Sequence, residues 1–272
     1  MTNGPSTLHV DAFDAFSTGT RVEYRALVPA DTRADERLPL VIHLHGAMSS
    51  SVSLEAARSS YEAAWAAGAL PRAIVVCAST PTRGGFYIDH AYGPSWETLV
   101  AGELPDAVGR RFALSGQRAI IGYSMGGYGA LKIGFRRPDA YAGIAALCPT
   151  IFPGETPEGV PEKNRASVLD ELHQAMGSTQ ADYANNSVYH LARANSAALR
   201  KSYPALYFDC GDADEFGLHD GARYLHGVLN ELAIPHEFRS IPGAGHADAA
   251  IASRQEDAIR FIGKCLAMAD AG

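Results

Sequence analysis

Apolar side chains along this chain fall into two alternating patterns. Short runs rich in Val, Ile and Leu occupy positions 21–28, 38–44, 73–77, 118–121, 144–147, 205–208 and 237–241. Between most of them lie longer stretches, at 56–67, 96–111, 125–137 and 221–232, whose apolar residues recur every three or four positions. A closing stretch places Ile251, Ala258, Ile259, Ile262 and Leu266 on one side. The first pattern is that of strands and the second that of amphipathic helices. Strands alternating with helices predict an α/β fold, with a mostly parallel central sheet of about eight strands and helices on both faces.

Two stretches break this rhythm. Residues 80–95, TPTRGGFYIDHAYGPS, hold glycines, prolines and aromatics and read as a long loop or hairpin. Residues 149–202 begin rich in Pro, Gly and Glu and turn polar and weakly helical, too long for a simple connection. They are expected to form a cap-like insertion over one edge of the sheet. Neither an internal repeat nor a linker divides the chain, so the 272 residues are read as a single domain.

Composition narrows the partners more than the fold. Twenty-three Lys and Arg against 30 Asp and Glu give a net charge of −7, which disfavours nucleic acid and anionic membranes. No apolar run approaches the ~18 residues of a membrane span. The first twenty residues lack the basic start and apolar stretch of a signal peptide, so a cytoplasmic location is expected. Cys77, Cys148, Cys210 and Cys265 are widely spaced without a C-x-x-C pair and read as buried free thiols.

The chemistry begins at GYSMGG, residues 122–127, which follow an apolar run and open a helical stretch ended by Pro138. A G-x-S-x-G in a strand–turn–helix setting is a nucleophile elbow. The turn is tight enough that side chains two before and two after the serine would clash, hence Gly122 and Gly126, and Ser124 is held exposed at the carboxyl edge of the sheet. A serine hydroxyl needs a base, and the base an orienting acid, both expected downstream of the serine. Six of the ten histidines lie there. His246, in the glycine-rich PGAGHAD between the last strand run and the last helix, is the candidate base; the other five fall in or beside helices or in the cap. For the acid, Asp209, Asp212, Asp214 and Glu215 compete in ALYFDCGDADEF. Asp214, three residues past Gly211, is far enough along the loop to reach the imidazole and is preferred, with the others expected to cap the following helix.

An oxyanion needs two main-chain N–H donors. Met125, next after the nucleophile, supplies one, and Ala47, in the HGAM turn after the third strand, is the choice for the other. His43 and His45 lie two apart on a strand with no third ligand nearby, so they read as structural, with His45 bracing the turn, and no metal site is expected. Tyr87, Tyr92 and Trp96, in or just after the 80–95 stretch, are candidates for lining the substrate pocket.

With these loops placed, residues 38–268 resemble the α/β-hydrolase superfamily, and more narrowly the putative-esterase (esterase D-like) family. That family includes tributyrin and feruloyl esterases, S-formylglutathione hydrolases and mycolyltransferases. The resemblance rests on HGAM, SWETLVAGELPDAV, GYSMGGYGALKIGFRRPDAYAG, DCGDADEF and GAGH. It implies a triad carried onto Ser124, Asp214 and His246, with Ala47 and Met125 as oxyanion donors. HGAMSSS lacks the S-G-x-x-C loop of S-formylglutathione hydrolases, and the acid is aspartate where mycolyltransferases use glutamate. The expected function is therefore a cofactor-independent serine carboxylesterase acting on small-molecule esters with short acyl or aryl groups. Acyltransferase and thioesterase activity are the alternatives on the same scaffold, a non-catalytic binding module is disfavoured, and oligomeric state is not legible.

Overall fold

A computed structural model describes residues 5–165, 168–202 and 205–270. One eight-stranded sheet organises them, in the order β1-β2-β4-β3-β5-β6-β7-β8. The strands are β1 (Ser6–Ala15), β2 (Thr20–Pro29), β3 (Leu38–Leu44), β4 (Ile74–Ala78), β5 (Leu114–Tyr123), β6 (Gly143–Leu147), β7 (Ala205–Gly211) and β8 (Glu237–Ile241). From β4 through β8 every neighbouring pair is parallel, whereas β1–β2 and β2–β4 are antiparallel. The mostly parallel α/β sheet expected from the alternation is the one observed.

Seven of these strands contain the apolar runs seen in the sequence. The eighth, β1, has no such run: between its buried ends, Ser6 and Ala15, its side chains are half-buried or exposed. Its place is fixed by pairing with β2 along its whole length, from Ser6 opposite Pro29 to Ala15 opposite Thr20.

Side chains alternate across the sheet into two cores. Leu40, Ile42, Leu44, Ile74 and Val76 pack on one face with the helix Met125–Arg136. Val41, Val75 and Cys77 face the other, under Tyr61 and the closing helix Ile251–Asp270, which contributes Ala258, Ile259, Ile262 and Leu266. All four cysteines are buried free thiols. Among the described residues no helix is long and apolar enough to cross a membrane.

The stretch 96–111 is helical but not regular. Trp96–Thr98 and Leu104–Gly109 are α-helical, with a wider π turn at Leu99–Glu103 between them. Pro105 has no N–H to give the preceding turn, which suits a local widening there. Within 149–202 lie the helices Val168–Ala175, Gln180–Asn186, Val188–Ala194 and Ser196–Ser202. They build no core of their own: Leu169, Leu172, Met176, Tyr183 and Val188 join the cluster of the β-sheet's first face.

That face also holds a buried ion pair. Lys132, wholly buried, donates to Glu97 Oε2 at 2.5 Å and to the Tyr87 carbonyl at 3.0 Å, and Arg136 donates to Glu97 Oε1 at 2.8 Å. Lys132 thus ties the elbow helix to the irregular 80–95 loop. Removing one partner of a buried pair strands the other charge. Lys132→Met is expected to cost about 3 kcal/mol, roughly 10 °C in melting temperature, since Arg136 compensates Glu97 only in part. A thermal melt reads it directly, and an unchanged midpoint would show that the pair contributes nothing net.

Candidate active site

Chain order determines where the site forms. From β3 the chain crosses to β4 on one side and then returns to β5 on the other, so the carboxyl ends of β3 and β5 flank a topological switch point. Loops leaving such a point diverge and open a crevice. The turn after β3 carries Ala47, and the turn after β5 carries Ser124.

Ser124 has φ +56° and ψ −115°, a strained backbone at the head of the helix Met125–Arg136, and it lies on the wall of a cavity. Its N–H donates to Leu147 O and its carbonyl accepts from Thr150 N–H, which anchors the turn to the end of β6. The glycines on either side are sterically required. A Cβ on Gly122 would sit 2.1 Å from Gly126 O, and one on Gly126 would sit 2.1 Å from Leu44 O. The second clash is with β3, so Gly126 also allows the elbow to press against the neighbouring strand.

From this position Ser124 Oγ lies 2.9 Å from His246 Nε2, and His246 Nδ1 lies 2.8 Å from Asp214 Oδ2. All three side chains belong to residues that are largely buried. Asp214 Oδ1 also accepts from the N–H groups of Phe216 and, more weakly, Leu218. Burial opposes ionisation of Asp214, but the His246 contact and these N–H groups outweigh it and hold the carboxyl below its usual value. Burial likewise opposes the imidazolium at His246. The carboxylate of Asp214 and, after it, the nearby Cys148 prevail and raise it from 6.5 to about 9.

The other three acids do not cap the next helix as expected. Asp209, fully buried, pairs with Arg254 of the closing helix at 2.5 Å. Asp212 accepts from Gly243 N–H and Glu215 from His246 N–H, both in the histidine loop. The helix Leu218–Glu231 starts at Gly217 without a side-chain cap, and Asp214 itself reaches its first N–H.

Met125 is the first residue of its helix, so its N–H has no intrahelical acceptor. Ala47 lines the cavity beside Ser124. His45 braces that turn: its Nε2 accepts from Thr80 N–H and its Nδ1 donates to Gly46 O. His43 is wholly buried against the Tyr61 hydroxyl, and burial pulls its pKa down to about 4.

The cavity over Ser124 measures about 270 Å³ and is lined mainly by Met48, Phe86, Tyr123, Thr150, Leu169, Phe216 and Leu218. The three residues proposed from the sequence to line it do not. Tyr87 is fully buried, with its hydroxyl on His45 O and its ring against Gly129. Tyr92 is fully exposed, and Trp96 is turned inward to donate to Gly84 O. Phe86 lines it instead, from a turn in which it and Tyr87 both have positive φ. Phe216 was present in DADEF and Leu169 in the cap, but nothing in their spacing marked them.

One cluster among the described residues has the ligand atoms for a cation: Cys148 Sγ, Cys210 Sγ and an Asp214 oxygen, within 4.8 Å of one another. It does not fit a metal. Asp214 is committed to His246, and the Arg254 guanidinium, 2.7 Å from Cys148 Sγ, puts positive charge where the ion would sit. The Cys210 thiol, then His246 and Arg254, pull the Cys148 pKa down against its burial.

Residues 16–247 match the model of a family described as putative esterase. Among solved structures, a ferulic acid esterase superposes with a TM-score of 0.79 at 21% identity, covering 97% of this chain and 100% of that one. An S-formylglutathione hydrolase from Agrobacterium tumefaciens gives 0.77 at 20% identity, with 98% of each chain covered. A fluorophosphonate-binding serine hydrolase from Staphylococcus aureus gives 0.73 at 22% identity, covering 95% of this chain and 99% of that one. At these identities the likeness is one of fold.

Proposed function

Since the chain belongs to the putative-esterase family of ester-hydrolysing enzymes, we propose that it is a serine carboxylesterase for small esters, with Ser124, His246 and Asp214 as its catalytic triad. The observation that carries this reading is the unbroken relay from Ser124 Oγ through both nitrogens of His246 to Asp214, at 2.9 and 2.8 Å, on the wall of the cavity.

Asp214 accepts the proton of Nδ1, which leaves the lone pair of Nε2 facing the serine. As Oγ attacks the ester carbonyl, Nε2 takes its proton. The N–H groups of Met125 and Ala47 receive the oxyanion, helped by the positive end of the elbow helix. The tetrahedral intermediate collapses, the alcohol leaves with the proton from His246, and Ser124 holds the acyl group. Water then enters and attacks the acyl carbon as His246 takes its proton, and the acid is released as His246 returns that proton to Ser124 Oγ. These steps call for no metal or organic cofactor.

The walls define the substrate class. The cavity is at the small end of the roughly 300–1,000 Å³ typical of ligand pockets, and its lining is chiefly apolar. It suits a neutral ester with a short acyl or an aryl group and leaves little room for a long chain between Leu169, Phe216 and Leu218. A p-nitrophenyl ester series with methyl ferulate and a thioester included tests this. Acetate and butyrate are expected to exceed octanoate in kcat/KM by at least tenfold, on the order of 1.4 kcal/mol of transition-state binding. A thioester preferred over every oxyester would replace the carboxylesterase reading with a thioesterase one.

A further inference from the structure

The triad fixes the His246 ring through its side-chain contacts, but the residue itself sits in a loop that has little else to hold it. Residues 242–250 contain Pro242, Gly243 and Gly245 and join β8 to the closing helix with no regular structure. A general base displaced by an ångström loses much of its effect, so something must hold the main chain of this loop.

Both main-chain polar groups of His246 are taken by side chains outside the triad. Its N–H donates to Glu215 Oε2 at 2.8 Å. Its carbonyl accepts from the Tyr123 hydroxyl at 2.8 Å, with the Cys148 thiol more distant at 3.7 Å. The two close partners are the chain neighbours of the other triad members: Tyr123 precedes Ser124 and Glu215 follows Asp214. The rings of Tyr123 and Phe216 also bracket the imidazole, with centroids 5.2 and 4.9 Å away. The acid and histidine loops are further joined by Asp212 N–H to Ile241 O, Ala213 N–H to Ala244 O, and Gly243 N–H to Asp212.

We infer that Glu215 and Tyr123 are positioning residues that clamp the main chain of His246, so that the three catalytic groups are spaced once by their side chains and again by their sequence neighbours. This rests on the triad reading above. Glu215 is the sharper half of the claim, because what it supplies is an acceptor for one N–H rather than a charge for the reaction. Glutamine retains that acceptor and alanine removes it. Glu215 is an exposed residue, so its replacement spares the core.

Acylation and deacylation both pass through His246, so loosening it slows both together. In such a case kcat falls while KM holds. Glu215→Ala is expected to lower kcat per titrated active site about tenfold at unchanged KM, in keeping with loss of one hydrogen bond that holds the loop. Glu215→Gln is expected to stay within about twofold of the parent, with the acid limb of its pH profile unmoved, and Tyr123→Phe to fall several-fold. Counting sites by the p-nitrophenol burst makes the comparison independent of how much protein folds. Wild-type kcat in Glu215→Ala would overturn the clamp, as would a Glu215→Gln enzyme as slow as the alanine variant, since that would make the charge the agent. Undiminished turnover in His246→Ala would instead remove the triad reading itself, whatever the Glu215 variants do.

Discussion

Ser124→Ala is expected to lower kcat for p-nitrophenyl acetate by about a million-fold, with the fold unchanged. The size of the effect follows from the relay. Without Oγ there is no covalent intermediate, and His246 has nothing to activate but water held too far from the carbonyl. What remains is the contribution of the oxyanion donors and the cavity, typically 10³–10⁴-fold over uncatalysed hydrolysis. Stability should not follow activity down, because alanine meets the same backbone requirement that serine already satisfies at φ +56°. Steady-state hydrolysis beside a thermal melt tests both halves. A variant that turns over at the parent rate would remove Ser124 from the mechanism.

Asp214→Asn carries the second largest expected effect, about 10⁴-fold in kcat, by the route known for buried triad aspartates. The carboxylate can only accept from Nδ1, so it dictates the tautomer. An asparagine can offer its N–H₂ group to the same nitrogen, which would move the proton to Nε2 and turn the base away from Ser124. The pH profile should shift as well. His246 must be neutral to act, so activity is lost as pH falls through its pKa. In the parent that pKa lies up at about 9, above the 6–7 of an unperturbed imidazole, because Asp214 and Cys148 hold the imidazolium. With the Asp214 charge gone and burial unchanged, the acid limb moves to lower pH. An acid limb at the same pH in parent and variant would show that Asp214 is not what raises His246. The same shift stabilises the folded protein fully below about pH 6.5, and that contribution is lost as pH rises through about 9.

The stretch ALYFDCGDADEF offered four acids, of which the sequence singled out one, and the folded loops give each a distinct partner. Asp209 was still in strand register and ends buried against Arg254, 45 residues away. Nothing in spacing could announce that pair, since it depends on the closing helix lying back across β6 and β7. Asp212 and Glu215 looked like caps because acids near a helix start usually are. They face the histidine loop instead, because β7 and β8 are parallel neighbours whose carboxyl ends bring both loops to one edge. The aromatic residues of 80–95 failed for a related reason. An irregular segment has no period from which to read inside from outside, and only the folded loop shows that Phe86 lines the cavity over Ser124 while Tyr87 is buried with its hydroxyl on His45 O.

What the sequence determined by itself is the part governed by local rules. Short continuous apolar runs specify strands buried on both faces and period-3.6 patterns helices buried on one, and their alternation specifies a mostly parallel sheet. Gly122 and Gly126 around Ser124 specify a turn no other residues would permit. Chain order then placed His246 and Asp214 after the serine. The tertiary structure alone decided which side chains wall the cavity, which acid meets which partner, and what holds the histidine loop. Those contacts join residues separated by tens to more than a hundred positions, such as Tyr123 and His246. Their geometry depends on how the sheet twists and where each loop leaves it, and no pattern along the chain encodes that.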